Sequence, residues 1–132
     1  ELIFMFQKEL GEKIIGKFPS TDYGRISILS NYRLDNINKF LVSPSCFFPK
    51  PKVTSMIIQF KPKKQKIDID INNLEKITQI FFSNKRKMIN KNILKLLGKK
   101  KVDKISRLNI KLRPSDLHPE IYYKITKLYE RD

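Results

Sequence analysis

The sequence is poor in the residues that build disulfides and zinc sites. Its 132 residues include one cysteine, Cys46, and one histidine, His118. A single cysteine excludes an internal disulfide. One cysteine and one histidine together also argue against a dedicated zinc site, which takes three or four Cys or His ligands. Low cysteine usage is typical of a reducing compartment, so we expect a cytoplasmic protein without a bound metal.

Long apolar runs are also missing. The longest, Leu2 to Phe6, has the length of a strand and is far too short to span a bilayer. The N-terminus lacks a basic region followed by an apolar one, so no secretory signal is predicted. Apolar residues nevertheless make up 40% of the chain, which is enough to bury a core. We therefore expect a folded protein with no membrane partner.

Acidic residues are scarce. The chain has 28 Lys+Arg against 13 Asp+Glu, a net charge of +15. An AT-rich genome would explain why lysine outnumbers arginine, but it does not explain the shortage of acids. A field of this size favours a polyanion, either nucleic acid or an anionic membrane surface, and we favour nucleic acid.

The charge is distributed unevenly along the chain. Residues 1–60 hold 8 basic and 5 acidic side chains, whereas residues 61–132 hold 20 and 8. The net charges are therefore +3 and +12. This asymmetry predicts a boundary near Lys61, with most of the attraction for a polyanion in the second part. Together with the apolar patterning described next, it suggests an α/β part over residues 1–60, a basic linker over 61–72 and an all-α part over 73–132, and the second part is the expected RNA-binding one.

Apolar patterning predicts strands and helices in the first part. Because both faces of Leu2 to Phe6 are apolar, this stretch should be a buried strand. Such a strand needs neighbours on both sides, so we expect the sequence to continue a sheet whose earlier part is missing. The pattern then predicts a helix at 8–17 and a loop at 18–24. Residues 25–34 could form a helix or a strand, and we favour a helix. Strands are expected at 38–43 and 53–60, the last one covered on both faces.

Helical spacing dominates the second part. Ser83 or Asn84 should cap the junction of two helices, Gly98 should end the second, and His118 should cap a last helix that starts at Pro119. The apolar positions at helical spacing are Leu74, Ile77 and Phe81, then Ile89, Ile93, Leu96 and Leu97, and finally Ile121, Ile125 and Leu128.

The segment from Pro44 to Lys52 carries the sharpest local feature. Its three prolines exclude regular structure and restrict the backbone around Phe47. A preset aromatic ring beside Lys50 and Lys52 suits a flipped-out base, with the ring stacking on the base and the lysines meeting phosphates. The alternative is that Phe47 simply packs the loop. The residues alone leave both open.

Five stretches occur in the order and approximate spacing of the KsgA-type ribosomal RNA adenine dimethyltransferases, which the chain therefore resembles over nearly its whole length. The proline-containing stretch is the most specific of them. The stretches are Phe4 to Glu9, Tyr23 to Ser27, Phe47 to Ser55, Phe82 to Lys87 and Leu112 to Leu117.

The resemblance implies a fold and an activity. The family has a Rossmann-like class I methyltransferase sheet followed by a small helical domain, and it dimethylates two adjacent adenines of small-subunit ribosomal RNA with S-adenosylmethionine. It implies that Phe47 stacks on the target adenine and that the partner of this monomer is the immature small ribosomal subunit. The family's Asn-Leu-Pro-Tyr element, glycine-rich cofactor loop and acidic ribose-binding residue have no counterpart here. We thus expect the C-terminal half of the sheet, no cofactor-binding residues, and no activity in this chain alone.

Further residues are candidates for RNA contacts. Lys85, Arg86 and Lys87 should lie at a helix start, where cations oppose the helix dipole, so we expect them, with Lys91, to bind RNA phosphate instead of being merely solvated. Arg113 is either a structural residue or an RNA contact.

Other residues of the matching stretches have structural interpretations. Gln7 and Glu9 should satisfy backbone donors at a strand-to-helix junction. Tyr23 to Arg25 should form a packed turn, and Cys46 should be chemically inert.

Two competing functions remain open. An Erm-type methyltransferase acting on large-subunit RNA shares the Lys-Pro-Lys-Val element, but Tyr23 to Ser27 argues against it. A non-catalytic RNA-binding or ribosome-assembly module is the second alternative.

Overall fold

The computed structural model describes residues 1–49, 52–65 and 67–131, and it divides the chain into two compact units, Glu1–Lys64 and Gln65–Asp132. The boundary falls inside the predicted linker 61–72. The last strand runs two residues into that segment, and the first helix of the second unit begins at Ile71. The first unit is α/β, and the described part of the second unit contains only helices.

The first unit is built on a three-stranded sheet with the order β1-β3-β2. Strand β3 is antiparallel to both neighbours, so β1 and β2 point in the same direction and two helices connect them. A short 3-10 turn, Pro44–Cys46, follows β2. In chain order the elements are β1 Leu2–Gln7, α1 Lys8–Ile14, α2 Arg25–Arg33, β2 Leu34–Val42 and β3 Ser55–Pro62.

One face of β3 forms the core of this unit. Met56, Ile58 and Phe60 are buried against partly buried apolar side chains of the neighbouring strands and of the end of α1, namely Phe6, Ile14, Ile15 and Leu34. The other face is more open, because Ile57 is half-buried and its cross-strand partners Met5 and Phe40 are 56% and 55% exposed.

Three strand predictions need correction. Among the described residues strand β1 pairs with β3 alone, and it is exposed along most of its length because the neighbour expected on its other side is not part of this chain. Strand β3 is buried on one face and not on both. Strand β2 begins at Leu34, four residues before the predicted start, and carries an irregularity between Asn36 and Asn38. The asparagines and Asp35 are typical of a turn, but pairing with β3 overrides their local preference.

Two small residues hold α1 and α2 in place. The buried Ser27 hydroxyl donates to the carbonyl of Lys13 (2.6 Å) and accepts from the N–H of Gly24 (3.1 Å). A Cβ on Gly11 would lie 2.7 Å from Sδ of Met56, so any larger residue there would have to displace the buried Met56 side chain. Tyr23 is buried and meets Phe18 edge-on at 5.2 Å, which confirms the packed turn.

The second unit consists of short helices around one apolar core. Asp70 and His118 cap the first and last helices, since their side chains accept from the N–H groups of Asn72 (2.9 Å) and Glu120 (3.2 Å). Gly98 ends the second helix with φ of 79°, as predicted. The helices are α3 Ile71–Phe82, α4 Asn90–Leu97, α5 Lys99–Val102 and α6 Pro119–Glu130, with a 3-10 turn at Pro114–Asp116 before α6.

The core of this unit is predicted only in part. Leu74, Ile77, Phe81, Ile89 and Ile93 are buried as expected, and so is Ile125 of α6, whereas Leu96 and Leu97 at the end of α4 are only half-buried. On α6 the most buried residues are Tyr122, Ile125 and Thr126, whereas Ile121 and Leu128 are only half-buried. The Tyr122 hydroxyl donates to the carbonyl of Pro114 (2.6 Å), which allows this polar side chain to turn inward. None of the helices over the described residues is long and apolar enough to cross a membrane.

Candidate nucleic-acid interface

The described parts of the proline segment, residues 44–49 and 52–54, adjoin the sheet edge where β1 and β2 both end. Ser55, the first residue of β3, pairs with Gln7 of β1 and with Val42 of β2. The N–H of Lys8 donates to the carbonyl of Thr54 (2.9 Å), so the start of α1 is fastened to the end of the segment. Ligands of α/β sheets bind outside the carboxyl ends of the parallel-running strands, which is where this segment emerges.

Backbone hydrogen bonds shape the first half of the segment. Ser43 caps the 3-10 turn: its carbonyl accepts from the N–H of Cys46 (3.0 Å) and its hydroxyl accepts from that of Ser45 (3.4 Å). The N–H of Phe47 then donates to the carbonyl of Pro44 (3.2 Å). The exclusion of regular structure was thus wrong for Pro44–Cys46. Pro44 occupies the first position of the turn, where a backbone N–H would have no partner within the turn, so its absence in proline costs nothing.

Two adjacent aromatic rings follow this turn. Phe47 is half-buried, whereas Phe48 is fully exposed, at 101% of its reference area. A half-buried ring is held by its neighbours and still offers a surface, whereas a fully exposed ring is not packed against the described part of this chain. The sequence reasoning selected Phe47 and missed the exposure of Phe48, because no pattern at this spacing separates two neighbouring phenylalanines.

Of the two lysines predicted beside the rings, the structure describes one. Lys52 is exposed and lies three positions before β3. Lys50 lies outside the described residues. Cys46 is a free, exposed thiol.

The strand-to-helix junction behaves differently from the prediction. Gln7 ends β1 and precedes α1, but its side chain makes no capping bond. The carboxylate of Glu9 lies 3.5 Å from Nζ of Lys13, so it forms an ion pair with the next turn of α1 instead of accepting from a backbone N–H.

Lys85, Arg86 and Lys87 are exposed in the turn that follows α3, not at a helix start. Because α4 begins only at Asn90, the predicted conflict with its dipole does not apply to them; at the C-terminal end of α3 cations are favourable. The dipole argument applies instead to Lys91, which lies in the first turn of α4. The correction removes one reason for an anionic partner at 85–87 but leaves the exposed charges in place.

The structure brings Lys87 and Lys91 to one groove. Its volume is about 470 Å³, and it is lined by Asn84, Lys87, Met88, Asn90, Lys91 and Asn92. No side chain caps the N-terminus of α4, and its first turn holds no acidic residue. The start of a helix, two lysines and three asparagine amides together form a surface suited to phosphate oxygens.

Arg113 lies on a chain segment tied to this groove. The N–H of Ile89 donates to the carbonyl of Leu112 (2.8 Å), and the N–H of Arg113 donates to the Asp116 carboxylate (3.1 Å). The Arg113 side chain is exposed and forms none of the salt bridges between described residues.

The residues present do not suit a nucleotide-like methyl donor. The four glycines lie at positions 11, 16, 24 and 98, so no glycine-rich turn exists. At the carboxyl ends of β1 and β2 stand Gln7 and Val42, neither of them acidic. Among the described residues no cluster of three or more His, Cys, Asp and Glu could hold a metal.

Comparison with known proteins identifies the family. The model for the ribosomal RNA adenine dimethylase family matches residues 1–131. The ribosomal RNA small subunit methyltransferase A of Pelagibacter ubique is 43% identical over 98% of this chain and 50% of its own length. That of Allorhizobium ampelinum is 35% identical over 96% and 46%. The chain thus spans about half the length of these curated relatives.

Solved structures show the same fold. A dimethyladenosine transferase from Plasmodium falciparum superposes with a TM-score of 0.68 at 22% identity, over 93% of this chain and 54% of that one. The 23S rRNA methyltransferase ErmE gives 0.53 at 15% identity, over 98% and 54%. The resemblance inferred from five sequence stretches is confirmed: the chain belongs to the ribosomal RNA adenine dimethylase family.

Proposed function

We propose that this chain is the RNA-holding part of an S-adenosylmethionine-dependent ribosomal RNA adenine dimethyltransferase. In this proposal the enzyme dimethylates two adjacent adenines of small-subunit RNA during ribosome biogenesis in the cytoplasm. The observation that carries it is the pair Phe47 and Phe48 on a proline-restricted segment at the carboxyl edge of β1 and β2. Relatives named as small subunit methyltransferases support the choice of RNA.

The chemistry explains why an aromatic ring belongs at this edge. The exocyclic amine of adenine is a poor nucleophile, since its lone pair is delocalised into the ring, so catalysis depends on positioning the base. A flipped-out base is held by stacking against an aromatic face and by polar groups on its edge. We assign the stacking role to Phe47, whose partial burial fixes the ring, and we expect Phe48 to help guide the RNA strand.

We place the methyl-donor site outside this chain. The sheet edge described here lacks the glycine-rich turn and the carboxylate that such a donor needs, and Glu9 is exposed and paired with Lys13. The first unit would then form the C-terminal half of a Rossmann-like sheet, and its half-open face at Met5, Ile57 and Phe40 would meet further structure.

The second unit supplies most of the RNA affinity in this proposal. The groove with Lys87 and Lys91, together with Lys85, Arg86 and Arg113, would neutralise RNA phosphates. Such contacts release counterions and make binding steeply salt-dependent, but they do not select a sequence.

The test is a methylation assay with a protein that carries this chain joined to a donor-binding part, acting as a monomer on immature small subunits. Mass spectrometry of the digested RNA should find dimethyladenosine at two adjacent positions of the small-subunit RNA. The 132-residue chain alone should bind the RNA and methylate nothing. Modification of large-subunit RNA, or RNA binding with no methylation by the longer protein, would contradict the proposal.

A further inference from the structure

A second groove in the helical unit lies beside α6. Its volume is about 470 Å³, within the range of about 300–1,000 Å³ that is common for small-ligand sites. It is lined by Ile67, Asp68, Lys104, Ile105, Ser106, Lys124, Lys127, Leu128 and Arg131. None of these residues belongs to the groove beside α4.

The lining separates into an apolar floor and a basic rim. Ile105 is buried, and Ile67 and Leu128 are half-buried, so the floor is aliphatic. The rim carries four cations, Lys104, Lys124, Lys127 and Arg131, against the single carboxylate of Asp68. Three of the four come from α6 and the residue after it, at a spacing of three and four positions, which places them along one side of the helix.

The rim charges are not neutralised within the described part of the chain. The three salt bridges found there all join residues of the first unit. Lys127 donates to the backbone carbonyl of Asp68 (2.9 Å), a bond that positions the ammonium group without cancelling its charge. An excess of cations around an apolar floor is complementary to a ligand with both an anionic and a flat apolar part.

Hydrogen bonds fix the walls of the groove. Besides the Lys127 bond, the carboxylate of Glu130 accepts from the N–H of Asp70 (2.8 Å) and from the side-chain amide of Asn73 (2.7 Å). Lys101 donates to the carbonyl of Arg131. The stretch before α3 is therefore fastened to the last turn of α6, and the groove exists before any ligand binds.

We infer that this groove binds an unpaired nucleotide of the RNA, with the base on the floor and the flanking phosphates on Lys104 and Lys124. The inference rests on the proposed function for its choice of RNA. Single-stranded nucleotides are recognised by splaying out the base and stacking it on flat side chains, among them an arginine guanidinium such as that of Arg131. A duplex hides its base faces and would meet only the rim.

The test measures binding of the 132-residue chain to three short probes, namely single-stranded RNA, the same sequence as a duplex, and the same backbone without bases. The variant Lys104→Gln/Lys124→Gln is compared with Lys99→Gln/Lys100→Gln, which removes two exposed charges outside the groove. All four lysines are solvent-exposed, so melting temperatures should be unchanged.

We expect the wild-type chain to prefer the single strand over the base-free backbone. The groove variant should lose much of this preference, and its log–log salt slope should fall by roughly 0.7 for each phosphate that the protein no longer neutralises. The control variant should keep the preference. Crosslinks from a 4-thiouridine probe should map to peptides around Ile105 and Leu128.

The inference would be overturned by equal affinities of the two double variants for all probes, or by crosslinks confined to 47–52 and 84–92. Binding to phosphatidylserine vesicles without binding to single-stranded RNA would also overturn it. The Phe47→Ala/Phe48→Ala variant distinguishes failure of the groove inference from failure of the proposed function. It should lose methylation in the longer protein while the groove keeps its preference for bases.

Discussion

Replacing each ring of the Phe47–Phe48 pair should separate catalysis from stability. In a protein that carries this chain with a donor-binding part, Phe47→Ala removes the proposed stacking face. Stacking contributes about 1–3 kcal/mol per base, so methylation should slow by roughly 5- to 150-fold. Overall RNA affinity should change little, because it depends mainly on phosphate contacts elsewhere.

The burial of the two rings sets the expected stability changes. Complete burial of a phenylalanine contributes about 1.5–3 kcal/mol, so truncating the half-buried Phe47 should cost the first unit about 1 kcal/mol. For a domain of this size that corresponds to a decrease in melting temperature of roughly 4–8 °C. Phe48 is fully exposed, so Phe48→Ala should leave the melting temperature unchanged.

The assay follows single-turnover methylation and melting temperature together for the Ala, Leu and Tyr variants of Phe47 and for the Ala variant of Phe48. The Phe47→Tyr variant should keep much of the rate because it keeps a π-face, whereas Phe47→Leu should not. If Phe47→Leu is as active as the wild type, or if Phe47→Ala unfolds the protein, the ring is packing and the reasoning fails. If Phe48→Ala alone abolishes methylation, the stacking ring is Phe48.

Three further expectations concern the rest of the chain. Replacing Lys85, Arg86 and Lys87 by Ala should lower the log–log salt slope of RNA binding by roughly 0.7–0.9 for each phosphate left without a cation, and an unchanged slope would mean that these charges are only solvated. Ser27→Ala should lower the free energy of unfolding by about 1–3 kcal/mol, because two backbone groups forfeit their hydrogen-bond partner, whereas the exposed Ser83→Ala serves as a matched control; equal effects in chemical denaturation would contradict this. Calorimetry with S-adenosylmethionine should give no saturable binding to this chain, and a saturable site would show that the donor is held here after all.

Local sequence rules predicted most helices because helices are made of near neighbours. Gly98 and His118 mark helix ends with their own backbone and side-chain chemistry, and both predictions are confirmed. The helix start expected at 83–84 was wrong, because local bonds make a turn there and Ile89, just before α4, donates its N–H to the carbonyl of Leu112, a residue far along the chain. Periodicity carries no information about such a distant partner.

Strand environment was predicted less well than strand position. Leu2 to Phe6 does form a strand, but its burial depends on which segments lie on either side. An apolar run indicates that a strand must be buried, but it does not show which segments cover it. The same limit applies to the candidate sites. The prolines that flank Phe47 can be read from the sequence. The exposure of Phe48 and the position of Lys104 beside α6 depend on three-dimensional contacts, which the sequence pattern does not contain.

In the proposed function, the division of charge between the two units gives affinity for RNA and selectivity for the target base separate physical origins. The first unit, with the aromatic pair, carries little net charge, so salt should barely affect how a base is held there. The second unit carries most of the excess cations, and its two grooves would retain RNA through counterion release. Raising the salt concentration should therefore weaken binding long before it lowers the rate of methylation of RNA already bound. A rate constant for bound RNA that fell in parallel with affinity would instead require the phosphate contacts themselves to position the adenine.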